Sequence, residues 1–153
     1  MSEQRQEKIQ TRLPWGEVAV ALHPRLREDT VYLGCLAVCQ VLLMNDSRYP
    51  WLILVPNQEG LSEWDQLSRP LVVGLHEDIC RASQVLRDLF NPDKLNVAAL
   101  GNVVPQLHIH VVARFQGDAV WPRPVWGALP ALPYPQEEGQ ALVERLRVAL
   151  ALV

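Results

Sequence analysis

The sequence carries no surplus of positive charge: 14 Lys and Arg face 17 Asp and Glu, for a net charge of -3 at pH 7. A domain that wraps nucleic acid normally presents a basic field, so bulk nucleic acid is not an expected partner. There is no long apolar run either. Asn45, Asp46 and Pro50 interrupt the most apolar stretches well before they could span a bilayer, and the opening MSEQRQEKIQTRL lacks the apolar core of a signal peptide. A cytoplasmic protein with no membrane partner is expected. Cysteine is scarce and unpaired: Cys35, Cys39 and Cys80 are odd in number and form no CxxC. That excludes a disulfide framework and a zinc ribbon, and buried reduced thiols are expected. Repeats, low-complexity tracts and long linkers are also lacking. A nucleotide-sized ligand needs only a local cluster of donors, and none of these absences speaks against one.

What is present fits one domain over residues 1–153, with 49% hydrophobic and 20% charged residues giving it the means to build a core. The first dozen residues read as a short helix or an arm. From Thr30 the stretch TVYLGCLAVCQVLLMND is rich in β-branched and aliphatic residues and begins a strand meander. Asp46 to Pro50 reads as a turn, because Asp and Ser bond to the local backbone and Pro fixes its own φ. WLILVP then forms the second strand of a buried hairpin. Ser62 is placed to cap a short helix over Leu61 to Leu67. A long helix starts near Pro70, with Leu71, Leu75, Ile79, Ala82, Leu86 and Leu89 in one apolar stripe. Glu77, Asp78, Arg81, Arg87 and Asp88 fall largely off that stripe. Asn91-Pro92 ends it. A strand from Lys94 to Ala99, a Gly101-Asn102 turn and a strand from Gln106 to Arg114 follow. A Pro- and Trp-rich segment and a final helix opened by Gln136, Glu137 and Glu138 complete residues 115–153. The class is α+β: an antiparallel sheet of about five strands, one long helix packed across it, and a C-terminal helix.

The chemistry concentrates in GNVVPQLHIHVVAR, Gly101 to Arg114. Strand parity sends Leu107, Ile109, Val111 and Ala113 toward the core and aligns Gln106, His108, His110, Val112 and Arg114 on the other face. Imidazoles attack electrophiles and move protons near neutral pH, and guanidinium and amide groups bind anionic oxygen. Such a row suits a phosphate ester. Two histidines at i and i+2 are also part of a metal site, and an ordinary polar sheet face is a further reading, each behind phosphate chemistry. His23, before Pro24, and His76, beside Glu77, read as incidental.

QLHIHVV resembles the signature of the histidine-triad (HIT) superfamily, His-x-His-x-His-x-x with apolar residues at x. His108 and His110 stand at its second and third histidines, and Gln106 replaces the first. The hairpin LLMNDSRYPWLILVP, the Asn96 strand, the Gly101 turn and Arg114 fall in the family's order, so the resemblance covers roughly residues 30–114. Where members often carry a further histidine after the hairpin, this chain has Asn57, Gln58 and Glu59. The tail WPRPVWG looks like that of bacterial HIT proteins labelled diadenosine tetraphosphate hydrolases.

This likeness implies a nucleotide hydrolase or nucleotidyltransferase that works at the α-phosphate through a nucleotidyl-histidine, on dinucleoside polyphosphates or other nucleotide conjugates. His108 would be the nucleophile and His110 a donor to the phosphate or leaving group. Gln106 completes the catalytic set, although an amide cannot relay a proton as imidazole does. Asn102 and the backbone at Gly101 would cap phosphoryl oxygens, Asn96 would lie near the phosphate, and Arg114 would add charge there. Asn45 or Asp46 would hold the ribose, Asp46 being preferred because a carboxylate accepts from both hydroxyls. Trp121 and Trp126 either wall the site or belong to core and subunit contacts. No cofactor and no protein-bound metal is implied, and a homodimer is. The competing readings are a nucleotide-binding module without catalysis, and a metal site on His108 and His110.

Overall fold

The computed structural model describes residues 19–152; the short helix or arm expected of the first dozen residues lies outside them. A short helix α1 (Pro24–Asp29) leads into strands β1 (Thr30–Cys35), β2 (Cys39–Met44) and β3 (Trp51–Pro56). The long helix α2 (Arg69–Phe90), strands β4 (Lys94–Ala98) and β5 (Ile109–Arg114), and helix α3 (Gln136–Leu150) follow. The five strands form one antiparallel sheet in the order β1-β2-β3-β5-β4. This is the α+β architecture expected from the sequence. None of the described helices is long and apolar enough to cross a membrane.

The continuous apolar runs of β2 and β3 are explained by cover on both sides of the sheet. On one face Val41, Leu43, Leu52, Leu54, Ile109 and Val111 pack against Leu75, Ala82 and Leu86 of α2 and Leu146 and Leu150 of α3. On the other face Leu42, Trp51, Ile53 and Val112 pack against Leu26 of α1 and against Val104, Val120 and Val125 from loops. The face that strand parity assigns to polar groups is therefore roofed. The Pro- and Trp-rich segment makes much of that roof. It is pinned to the β2–β3 turn, where Ser47 N–H donates to the Leu132 carbonyl at 2.7 Å and Tyr134 N–H to Asn45 Oδ1 at 2.9 Å.

Several local expectations are corrected. The short helix is a 3-10 turn over Trp64–Gln66 that Glu63 opens; Ser62 does not cap it, and its N–H instead donates to Gln66 Oε1 at 2.8 Å. Of the three thiols only Cys39 is buried, and Cys80 is exposed on α2. Regular pairing of the motif strand begins at Ile109, so Gln106 and His108 lie just before the ladder.

Asp78 is buried although it stands off the apolar stripe. Its carboxylate accepts from the backbone N–H groups of Ala37, Val38 and Cys39 at 3.0, 2.9 and 2.9 Å, tying the β1–β2 turn to α2. Gly74 permits that approach, since a Cβ there would stand 2.6 Å from Val38 Cγ1. Removing the carboxylate leaves three N–H groups without partners in a confined place. Asp78→Ala is expected to cost about 2–4 kcal/mol and to lower Tm by roughly 5–15 °C in a thermal melt. A change under about 1 °C would contradict this role.

Candidate active site

The motif places two imidazoles side by side with different partners. Leu107 N–H donates to the Leu61 carbonyl at 2.9 Å, which fixes the chain just before His108. His108 Nδ1 lies 2.7 Å from the Gln106 carbonyl oxygen. A carbonyl only accepts, so the ring proton sits on Nδ1 and the lone pair on Nε2. His110 Nδ1 instead accepts from the indole Nε1–H of Trp51 at 3.0 Å. The two rings meet edge to face, with centroids 4.8 Å apart. Trp126 stands 5.4 Å from the His110 ring and 6.1 Å from Trp51, closing an aromatic box.

Both imidazoles are buried, and burial penalises the charged form. His108 is lowered from the ordinary histidine value by burial, partly opposed by its bond to the Gln106 carbonyl and helped by repulsion from His23. His110 is pushed down to about 3 by burial and by His108. The pair is thus uncharged at neutral pH.

Both rings border a cavity of about 460 Å³, within the range that holds a mononucleotide. Asn102 and Gly101 form part of its wall, Leu26 and Ile53 supply apolar surface, and Asp46 lies at another side. Asp46 is buried and holds Arg48 in a two-pronged pair, accepting from Nε at 2.9 Å and Nη2 at 2.8 Å. The structure therefore separates the two ribose candidates. Asp46 borders the cavity, whereas the Asn45 amide is taken by Tyr134 and does not line it.

Three further expected site residues are elsewhere. The Gln106 side chain turns from the imidazoles to grip the preceding segment: Oε1 accepts from His23 N–H at 2.8 Å, and Nε2 donates to the Ala21 carbonyl at 3.0 Å. It borders a separate cavity of about 560 Å³, together with His23 and Gly60. Only its backbone serves His108. A primary amide has one donor and one acceptor arm, which match a peptide segment better than a phosphate. Arg114 is almost fully buried and gives Nε and Nη2 to Asp118 at 2.7 and 3.1 Å, Nη1 to Asn96 Oδ1 at 2.8 Å, and Nη2 also to the Arg123 carbonyl at 2.8 Å. Neither Arg114 nor Asn96 lines the cavity. They brace the roof, with Trp121 under the guanidinium 5.6 Å away.

Three contributors escape the sequence. Trp51 looks like one more apolar residue of a buried strand until β3 is known to lie beside β5. His23 caps α1, its Nδ1 accepting from Arg25 N–H at 3.1 Å. Asp118 is buried with Arg114 and also accepts from the N–H groups of Phe115, Val120 and Trp121. Burial pushes its carboxyl up, but Arg114 and those N–H groups outweigh it and hold the pKa at about 2. Among the described residues, no group of three or more His, Cys, Asp or Glu side chains is arranged to hold a metal ion.

A model of the HIT domain matches residues 27–117. Among solved structures, a histidine triad protein of Bradyrhizobium japonicum is 45% identical, with a TM-score of 0.83, over 86% of this chain and 98% of that one. One of Marinobacter aquaeolei VT8 is 44% identical with a TM-score of 0.84, covering 87% and 97%. A third, of Sinorhizobium meliloti, is 40% identical with a TM-score of 0.81, covering 84% and 96%. No curated protein matches.

Proposed function

The chain belongs to the HIT domain family, and from that premise we propose that it is a nucleotide hydrolase or nucleotidyltransferase in which His108 attacks the α-phosphorus. One observation carries the reading: His108 Nδ1–H is held by the Gln106 carbonyl, which leaves the Nε2 lone pair for a phosphorus in the adjoining cavity. Attack forms a P–N bond as the P–O bond to the leaving group breaks. Water or another acceptor then displaces His108, returning the electron pair to Nε2. In this reading Asn102 and the backbone at Gly101 cap phosphoryl oxygens, as uncharged donors suited to developing charge. Asp46 accepts from the ribose, using lone pairs that Arg48 leaves free. Leu26 and Ile53 face the base. Dinucleoside polyphosphates and related conjugates are the substrates to try first. A homodimer and a cytoplasmic setting accompany the proposal, and sedimentation showing only monomer would remove the dimer.

The test is turnover of a panel of nucleotide conjugates, followed as release of nucleoside monophosphate between pH 4.5 and 9. Because the nucleophile must be unprotonated and its pKa is lowered, kcat/KM is expected to stay flat from pH 9 down through 6.5. It should fall only at a more acidic value. A profile that halves at or above pH 6.5 would contradict the assignment of His108. Tight monophosphate binding with no turnover of any conjugate would mark a binding module instead.

A further inference from the structure

Among the described residues the His110 ring has one hydrogen-bond partner, the Trp51 indole, at 3.0 Å. An indole N–H donates and cannot accept. Nδ1 of His110 must therefore present its lone pair, and the ring proton must sit on Nε2. A second proton could enter only at Nδ1, where it would meet the indole N–H head-on in a buried site. The groups around the ring offer nothing to offset that. Trp51 and Ile53 face it from β3, Trp126 from the roof, and His108 from its own segment. Of the two carboxylates in the same cavity wall, Asp46 is engaged by Arg48 at 2.8 Å and Asp29 by Arg25 at 3.4 Å.

We propose that Trp51 is a positioning residue that holds His110 as a neutral Nε2–H donor, and that the site consequently takes phosphoanhydrides, nucleotides whose leaving group is itself a phosphate or polyphosphate. This rests on the nucleotidyl-transfer reading of the same cavity. A neutral imidazole stabilises an oxyanion by hydrogen bonding but is too weak an acid to hand its proton to a departing base. An amine or alkoxide leaves as a strong base and needs that proton in the transition state. A phosphate leaves as a stable anion. Neither the Asn102 amide nor the Trp126 indole N–H, which has no partner among the described residues, gives up its proton to a leaving group. The His108 Nδ1 proton is held by the Gln106 carbonyl, and both arms of the Gln106 amide bind backbone. His23 borders the other cavity with its Nδ1 on the α1 cap.

The balance closes without a general acid. The His108 Nε2 lone pair forms the P–N bond, and the P–O electron pair leaves with the phosphate. The proton on His108 Nδ1 stays in place, so the intermediate is an N-phosphorylated imidazolium. Water then attacks phosphorus, the P–N pair returns to Nε2, and one proton passes to solvent.

Two measurements test this. In the first, 15N spectra of histidine-labelled protein report which nitrogen of His110 carries hydrogen. The Nε2–H form is expected to persist from pH 8 to 4.5, and Trp51→Phe, which keeps an aromatic ring but loses the donor, should let His110 take a second proton at higher pH. In the second, kcat/KM is compared for an adenosine phosphoanhydride and an adenosine 5′-phosphoramidate, which share the same α-phosphate. The wild type is expected to favour the anhydride by about 10³-fold, of the order that a missing general acid costs. Trp51→Phe should narrow that preference under mildly acidic conditions. An Nδ1–H or charged His110 in the wild type, or phosphoramidate turnover within tenfold of the anhydride, would overturn the proposal. If neither compound is turned over and no adduct forms, the transfer reading fails; the spectra still decide the role of Trp51.

Discussion

Replacing His108 by glutamine is expected to lower turnover by about 10⁴-fold or more while leaving the fold and nucleotide binding in place. Glutamine approximates the reach of imidazole and can still bond to the Gln106 carbonyl. It has no lone-pair nitrogen to offer phosphorus. The loss should appear in kcat with little change in KM, because the ring's part in ground-state binding is small beside its part in forming the P–N bond. The same change at His110 should cost less, since a glutamine amide N–H can replace part of an uncharged donor. Stopped-time assays of the variants, with calorimetric binding of a monophosphate, check this order. If His108→Gln retains more than about a hundredth of wild-type turnover, water attacks phosphorus directly and the nucleophile assignment falls.

The second large effect is structural. Asp118→Ala is expected to destabilise the protein by about 5 kcal/mol, at the upper end of what one substitution does. It strips a buried guanidinium of its partner and leaves three backbone N–H groups without an acceptor. A lost ion-pair partner in a dry site leaves an uncompensated charge, which alone costs about 3–5 kcal/mol. Tm should fall by roughly 10–20 °C for a chain of this size. The Asp118 pKa of about 2 gives the effect a pH signature. A carboxylate depressed by folding stabilises fully above its unfolded value near 4, and that contribution is lost as pH falls toward 2. The segment that Asp118 organises carries Val125 and Trp126 of the cavity wall. Asp118→Asn, which keeps one acceptor oxygen, should therefore be milder in stability yet still reduce turnover. A melt of Asp118→Ala within about 2 °C of wild type would show that this node does not hold the roof.

These two residues mark what the sequence discloses and what it hides. His108 and His110 are legible because strand parity puts them on one face and the motif QLHIHVV is local. The hairpin, the long helix and the order of elements are legible for the same reason, since period-two and period-three-to-four patterns are set by neighbours in the chain. Asp118 and Trp51 act through partners 4 and 59 positions away. The first hides in a loop, and the second depends on β3 lying beside β5, which no local pattern states. Arg114 misled for a related reason: a cation after a histidine pair suits a phosphate, but its cost of burial is met by Asp118, a loop residue with no periodic signal. Gln106 is the subtler case. Its place in the motif suggests chemistry, yet its side chain serves the segment at Ala21 and His23, and its carbonyl does the work for His108.

The most direct test of His108 as the attacking group is mass spectrometry of the protein quenched in alkali during turnover of a nucleotide conjugate, where a phosphoramidate survives. One added nucleoside monophosphate is expected on the peptide containing His108, formed within a single turnover and absent from His108→Gln. An adduct on His110 or His23, or steady turnover with no adduct on any histidine, would contradict it.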